Sequence, residues 1–421
     1  MRLNFCTLWE GALVPLDLST KCVYIEHGID EKTGAVNPPI YQSAGFSYPN
    51  PEDLEKVFKG QDFGYVYSRI SNPTISELER RIAYLESAFG VVAVSSGLSA
   101  ILALGFVLAT QGGNIVVSNS LFGGTRDLFE ETFPKFGVDI RWVDISNTTE
   151  LASQVDDDTS FVFAEIISNP KLVIPDVAKL RSITSNHGIP LVIDATLTGS
   201  VGFNAKAHGV DVVIYSSTKL FATNGGAVGG LIVDTGNFDW RKSKHPELLA
   251  ASQNVHRFAF LERVRRHALN NSGLNTSPMN AYFTILGLET LSLRYERMSS
   301  NALQVAEFFQ SEGVTVAYPG LDQHPQHKLA SDLFTGFGPL LTIDLGSKEA
   351  AFSFISKLKI SQNMSNLGDN RTMVIHPAST IYSKHSPEQL AQAGVTEGLI
   401  RLNVGLESLK DLLNEFKEAL K

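Results

Sequence analysis

Two cysteines, Cys6 and Cys22, are all that this 421-residue chain contains. That excludes a disulfide framework and a structural zinc site built on thiolates, leaving packing to hold the fold and making a reducing compartment the natural setting. A basic run is also missing, and the formal charge is −9. Nucleic acid and acidic membrane are therefore not expected as main partners. The longest apolar helical stretch, around Ile101 to Ala109, is too short to span a bilayer. The first residues lack the pattern of a secretory leader, because Glu10 and Asp17 interrupt their apolar positions. No internal repeat or low-complexity tract is visible. Together these absences predict a cytoplasmic protein.

What the chain does have is enough apolar material, 43% of its residues, for two domains with substantial cores. Short apolar runs alternate with helical patterns from about residue 75 to 235: Val91–Val94, Ile115–Val117, Ile140–Val143, Phe161–Ala164, Leu191–Ile193, Val212–Tyr215 and Gly230–Val233. Such alternation predicts βα units around a mainly parallel, seven-stranded sheet buried on both faces. Beyond the polar, basic stretch from Arg241 to Arg266, the segment Thr284–Leu291 leads into a long helical pattern. A strand at Leu340–Ile343 and a helix at Ala350–Leu358 read as parts of a smaller α+β unit. The expected division is an N-terminal arm, 1–70, rich in Pro and Tyr; a large domain, 71–265; and a C-terminal domain, 266–421.

The chemistry is carried by residues where the strands end, which is where open α/β sheets bind ligands. The run Val212–Tyr215 passes into Ser216, Ser217, Thr218 and Lys219. A lysine can bond an aldehyde carbon while neighbouring hydroxyls and backbone N–H groups take a phosphate, and pyridoxal phosphate offers both groups. By itself the motif also fits a surface lysine after a buried strand. Upstream, Leu191–Ile193 ends in Asp194, followed by Ala195 and Thr196. An ionised carboxylate there would keep a pyridinium nitrogen protonated, so that the ring acts as an electron sink. An aspartate in that place is also a common helix cap. The run Val91–Val94 passes through Ser95, Ser96 and Gly97 into a helical pattern beginning at Leu98. Free N–H groups at that helix start would face an anion, and Gly97 would let the backbone approach it.

Further landmarks, in order, are Gly34–Tyr41, Tyr65–Thr74 with its Tyr67-Ser68-Arg69, Glu165 with Asn169-Pro170, and Leu399–Glu407. With the Ser216–Lys219 segment and Asp194 they resemble the Cys/Met-metabolism family of pyridoxal-phosphate enzymes over nearly the whole chain. The resemblance implies the aspartate-aminotransferase-type α/β fold (fold type I), with 71–265 as the cofactor-binding domain. It assigns the Schiff-base lysine to Lys219. It also gives cofactor contacts to Ser96, Gly97, Leu98, Asn169, Asp194, Thr196, Ser216 and Thr218. Tyr67, catalytic in the family, and Arg69 would reach the cofactor phosphate of a neighbouring subunit. A homo-oligomer follows, expected to be a tetramer made of two active dimers. Arg401 and Asn366 would hold the substrate carboxylate, the former through bidentate geometry. No metal is implied.

Two departures from the family pattern stand out. Phe122 occupies the place of the usual ring-stacking tyrosine; it keeps the aromatic face but has no proton to give. Thr223-Asn224 stands where Gly-His is usual. The segment Asn366–Thr380, with Gly123-Gly124-Thr125 and Phe238-Asp239-Trp240, looks most like the O-acetylhomoserine sulfhydrylase branch, although many relatives carry serine at the position of Asn366. That resemblance implies γ-replacement on O-acetyl-L-homoserine by sulfide or a thiol, giving homocysteine or methionine and acetate. A γ-lyase acting on methionine or cystathionine, or a γ-synthase using a carbon or nitrogen nucleophile, would use the same residues. A non-catalytic protein on this fold would have no need to keep Lys219, Asp194, Tyr67, Arg69 and Arg401 together.

Overall fold

The computed structural model describes residues 16–24, 30, 33–222 and 224–421. The expectations that rest on Cys6, Glu10 and Thr223 fall outside the described residues. Each of the seven expected apolar runs forms one strand of a single sheet: β1 (Gly90–Val94), β2 (Asn114–Ser118), β3 (Asp139–Val143), β4 (Thr159–Glu165), β5 (Leu191–Asp194), β6 (Val212–Tyr215) and β7 (Gly230–Asp234). Their order is β1-β7-β6-β5-β4-β2-β3. All pairings are parallel except those of β7, which runs antiparallel to both β1 and β6.

The strands other than the partly exposed edge strand β3 read as largely apolar runs because both faces are covered. Alternate residues of one strand enter different cores, as the period of two demands. Val91, Ala93, Val162, Ala164, Val213 and Tyr215 pack on one face with Ile75, Leu78 and Ile82 of the helix Pro73–Glu86. Val92, Val94, Phe161, Phe163, Val212 and Ile214 pack on the other with the helix Gly97–Leu108 and with Phe260 and Trp240. Asn72 caps the Pro73–Glu86 helix, accepting from the Thr74 N–H, and proline at its first position has no N–H to leave unpaired.

The C-terminal part carries a second sheet of five strands: β8 (Thr315–Ala317), β9 (Leu340–Asp344), β10 (Gln362–Asn363), β11 (Met373–Ile375) and β12 (Leu399–Asn403), in the order β10-β11-β12-β9-β8. The expected helix at Ala350–Leu358 is found at Lys348–Lys357, capped by Ser347. The helix Leu291–Ser311 joins the two parts. Leu291, Tyr295 and Met298 in its first half pack into the core beneath the large sheet, whereas Ala302, Val305 and Phe309 pack against the small one. Among the described residues no helix is long and apolar enough to cross a membrane.

The large sheet brings its C-terminal strand ends together. Glu165 stands opposite Asp194 in the β4–β5 register, and Asp194 opposite Ile214 in the β5–β6 register. The insertion of β7 between β1 and β6 brings Gly230 against the turn that follows β1. A Cβ at Gly230 would stand 2.0 Å from the Ser96 carbonyl oxygen and 2.9 Å from the Gly97 nitrogen. Both atoms belong to the backbone, so neither can swing aside. Gly230→Ala should lower stability by about 1–3 kcal/mol and weaken cofactor retention, because the Ser96–Gly97 turn must shift. Denaturant midpoint and cofactor occupancy measure the two effects; an unchanged midpoint would contradict the close approach.

Candidate active site

A cavity of about 280 Å³ opens where the C-terminal ends of the large-sheet strands meet the loop before β11 and the strand β12 of the second sheet. Ser96, Gly97, Leu98, Phe122, Asn169, Asp194, Thr196, Ser216, Thr218, Lys219, Asn366 and Arg401 all line it. Every expected site residue except Tyr67 and Arg69 is thus brought to one place by segments far apart in the chain.

One end of the cavity is an anion cradle. Ser96 caps the helix Gly97–Leu108, its hydroxyl accepting from Ser99 N–H at 3.1 Å. The first N–H groups of the helix have no partner within it and point toward any anion placed there. Ser216 and Thr218 add hydroxyls from the segment after β6. A Cβ on Gly97 would stand 2.8 Å from Ser216 Cβ, so only glycine lets the two segments approach.

The wall between β4 and β5 is acidic. Asp194 Oδ1 accepts from Thr196 N–H at 2.9 Å, and Thr196 Oγ1 accepts in turn from Ser216 N–H at 2.8 Å. Burial pushes the Asp194 carboxyl up to about 6, against the opposing effect of the Thr196 bonds. Glu165 accepts from the N–H groups of Phe122 at 2.8 Å and Asn169 at 3.1 Å. Burial, and then the charge of Asp194, raise its pKa well above the usual carboxylate range. Two adjacent carboxylates, Glu165 buried and Asp194 half-buried, favour a cation between or beside them, which a protonated ring nitrogen would supply.

Two cationic groups also line the cavity. Lys219 Nζ donates to Asn366 Oδ1 at 2.7 Å. Burial, with Arg401 nearby, pushes its pKa down to about 8. Arg401, in β12, is buried; its Nη1 donates to Asn169 Oδ1 at 3.3 Å and its Nη2 to the Asn366 carbonyl at 3.0 Å. Burial lowers its pKa to about 10, so it remains charged near neutrality. Among the described residues no carboxylate pairs with it. A buried guanidinium held only by neutral acceptors is a site for an incoming carboxylate.

The Phe122 ring lines the cavity at the start of the short helix Gly123–Asp127. Tyr382 braces this wall: its hydroxyl lies 3.0 Å from the Leu121 carbonyl and 3.1 Å from the Asn169 carbonyl. Tyr67 and Arg69 lie elsewhere. Tyr67 is half-exposed, and the Arg69 guanidinium sits over its ring at 5.3 Å while donating to the backbone and side chain of Asn270. Sequence reasoning used Glu165 only as a landmark and passed over Tyr382 and the apolar wall of Ile101, Ile167, Leu197, Val228 and Leu367. Glu165 could have been found, since it ends a strand as Asp194 does. The role of Tyr382 could not, because its partners are distant backbone carbonyls.

A mainly parallel seven-stranded sheet, a helix-start anion cradle and a half-buried lysine sharing one cavity with a half-buried aspartate define a fold-type-I pyridoxal-phosphate enzyme. More narrowly, the chain belongs to the Cys/Met metabolism PLP-dependent enzyme family, whose model matches residues 19–421. It is 38% identical over 397 residues to O-acetyl-L-homoserine sulfhydrylase 1 of Thermus thermophilus, covering 91% of this chain and 94% of that one. It is 35% identical over 408 residues to the homocysteine synthase of Schizosaccharomyces pombe, covering 93% and 95%. A solved Campylobacter jejuni chain, assigned as an O-acetylhomoserine (thiol)-lyase, superposes with a TM-score of 0.89 at 31% identity, covering 96% of this chain and 100% of that one. Its lysine carries a pyridoxyl phosphate group. The cofactor is pyridoxal phosphate, and the cradle, the acidic wall and Lys219 fit its phosphate, ring nitrogen and aldehyde.

The acidic wall is unfavourable until a cation meets it. Because Asp194 has a higher pKa folded than unfolded, its contribution to stability is full at low pH and is lost as pH rises through about 6. Asp194→Asn should therefore stabilise the cofactor-free chain by roughly 1–3 kcal/mol at about pH 7.5, with little effect below about pH 3.5, where the carboxyl is protonated folded and unfolded alike. It should also speed cofactor loss. Paired denaturation curves at the two pH values and cofactor dissociation rates give the comparison; destabilisation of the cofactor-free chain at the higher pH would refute it.

Proposed function

We propose that this enzyme catalyses γ-replacement on O-acetyl-L-homoserine, with sulfide or a small thiol as nucleophile, giving homocysteine or methionine and acetate. The observation that carries the proposal is the buried Arg401 near Lys219, with no carboxylate partner among the described residues, in a cavity whose aromatic wall, Phe122, bears no hydroxyl. The names of the Thermus and Schizosaccharomyces relatives support it.

Arg401 holds the α-carboxylate of the amino acid, with Asn169 and Asn366 fixing the guanidinium. When bound, pyridoxal phosphate withdraws electrons from the substrate through its protonated ring and so acidifies the carbons near the amine. Asp194 keeps that ring protonated, and the Ser96–Leu98 turn with Ser216 and Thr218 anchors the phosphate. Lys219, with its pKa near 8, is poised to take a proton from substrate carbon and give it back. The buried apolar side chains of Ile101 and Leu367 limit water in the cavity. Acetate leaves as a weak base and needs no proton donor, which suits Phe122. A thiolate needs more help, so the γ-lyase reading is less favoured.

We further propose that Tyr67, half-exposed, and Arg69, both outside this cavity, complete the phosphate site of a second copy, in line with residues 1–70 serving as an arm. The assembly is proposed to be a tetramer of two such dimers, working in the cytoplasm.

O-Acetylhomoserine, O-succinylhomoserine, cystathionine and methionine, each with and without sulfide, discriminate the readings when homocysteine, keto acid and ammonia are measured together. O-Acetylhomoserine with sulfide should give mainly homocysteine. Phe122→Tyr should raise kcat/KM for the thioether substrates relative to the ester, by about tenfold or more. Wild-type protein that eliminates thiolate from methionine as readily as it uses O-acetylhomoserine would overturn the proposal.

Mixing inactive Arg69→Ala with inactive Lys219→Ala chains should restore part of the activity, since a hybrid dimer carries one intact site. No recovery despite demonstrated subunit exchange would count against sharing between copies.

A further inference from the structure

We propose that His385 is a positioning residue for Phe122: on gaining a proton it draws in Asp127, and so sets how firmly the short helix beginning beside Phe122 is clasped to the segment between β11 and β12. The inference rests on Phe122 as the stacking partner of the cofactor ring, but not on the identity of the leaving group or the nucleophile.

The segment runs close along the helix Gly123–Asp127. A Cβ at Gly123 would stand 3.1 Å from the Ile381 carbonyl oxygen and 3.7 Å from both His385 Cε1 and Tyr382 Cε1. Farther along the helix, Arg126 Nη2 donates to Gln392 Oε1 at 3.1 Å and to Glu130 Oε1 at 3.2 Å, while Gln389 Nε2 donates to Glu130 Oε2 at 3.2 Å. Those groups hold one another. His385 is different: its side chain is only 6% exposed, yet neither ring nitrogen has a hydrogen-bond partner among the described residues. Its Nε2 lies 3.4 Å from Asp127 Oδ1, within reach of an ion pair but not aligned for a bond, and its ring packs on Tyr382 with centroids 4.9 Å apart.

A buried imidazole with two open nitrogens is unfavourable and asks for an explanation. Protonation supplies one: it makes both nitrogens donors and adds a charge that the Asp127 carboxylate answers. Imidazole is also the side chain whose ordinary titration falls between about pH 5 and 8. The other charged groups on the elements packed here are Arg126 and Glu130, bonded to each other, and Lys384 and Glu388, which are exposed on the histidine's own segment. Burial keeps the Tyr382 hydroxyl protonated. Asp127 reports directly to the ring wall, because the helix is a single turn: the Phe122 carbonyl accepts from the Thr125 and Arg126 N–H groups, both at 2.9 Å, and Asp127 comes next. A pull on Asp127 is therefore a pull on the Phe122 backbone.

The test uses the holoenzyme without substrate. Hydrogen exchange of residues 121–132, corrected for the intrinsic effect of pH on amide exchange, reads the clasp. The ellipticity of the cofactor's visible band per unit absorbance reads the stacking of Phe122. From about pH 5.5 to about pH 8.5 the corrected exchange of wild type should rise about threefold or more, a modest step because Asp127 is partly solvated, and the ellipticity should change over the same interval. His385→Leu should exchange at the fast level throughout, and Asp127→Asn should flatten the pH dependence. His385→Gln, which keeps an N–H donor near the place of Nε2 but does not titrate, should restore part of the protection at every pH. Thermal midpoints within a few degrees of wild type establish that the variants are folded. A wild type without the pH step, a folded His385→Leu that keeps it, or a step in exchange with no change in ellipticity overturns the proposal. Phe122→Leu separates the two readings, since it should itself lower the ellipticity; if it does not, the stacking role of Phe122 is what fails.

Discussion

Glu165 and Asp194 lie side by side at the ends of β4 and β5, and the site is organised around the unfavourable burial of their charges. Sheet register alone puts them together, because parallel neighbours in register carry their C-terminal residues to the same edge. Each carboxylate then gathers what it can. Asp194 takes the Thr196 N–H, while Glu165 takes two N–H groups that belong to the Phe122 and Asn169 loops. The repulsion that remains is what a ring cation relieves. Binding energy for the cofactor is thus stored in the fold as local instability, a common arrangement where stability and function compete.

The same carboxylate links the two halves of the cavity. Glu165 holds the Asn169 backbone, Asn169 holds Arg401, Arg401 holds the Asn366 carbonyl, and the Asn366 side chain holds Lys219. The chain of contacts runs from the large sheet to the small one and back. Arg401 can serve in it because β12 sits between β11 and β9, where both flanks are paired and solvent is excluded. An edge strand would have let the guanidinium reach water, and its affinity for a carboxylate would have been weaker.

Most of the large sheet was legible because strands buried on both faces have no polar alternation to blur them; the partly exposed edge strand β3 was legible from Ile140, Trp142 and Val143. β8 and β10 were not, being two or three residues long and partly exposed, with little apolar signal. The site was legible where a functional residue ends a strand, as Asp194 and Lys219 do, or falls within a segment resembling a known family, as Arg401 and Asn366 do. From its neighbours Leu399, Ile400 and Leu402 alone, Arg401 could equally have faced solvent; only the central place of β12 decides it. Tyr382 was illegible because nothing local distinguishes a tyrosine that braces two distant carbonyls from one that fills a core.

Phe122 shows how one missing atom can carry specificity. Its backbone N–H is held by Glu165 and its loop by Tyr382, so the ring is placed by groups that do not depend on a phenol. Loss of the hydroxyl therefore leaves the wall in position and removes only a proton donor. Lys219 is the proton carrier proposed for this cavity, and its partner Asn366 is also bonded to Arg401. A site built this way handles proton movement at the substrate carbons well and does little for a strongly basic leaving group, which is the chemistry an ester substrate asks for.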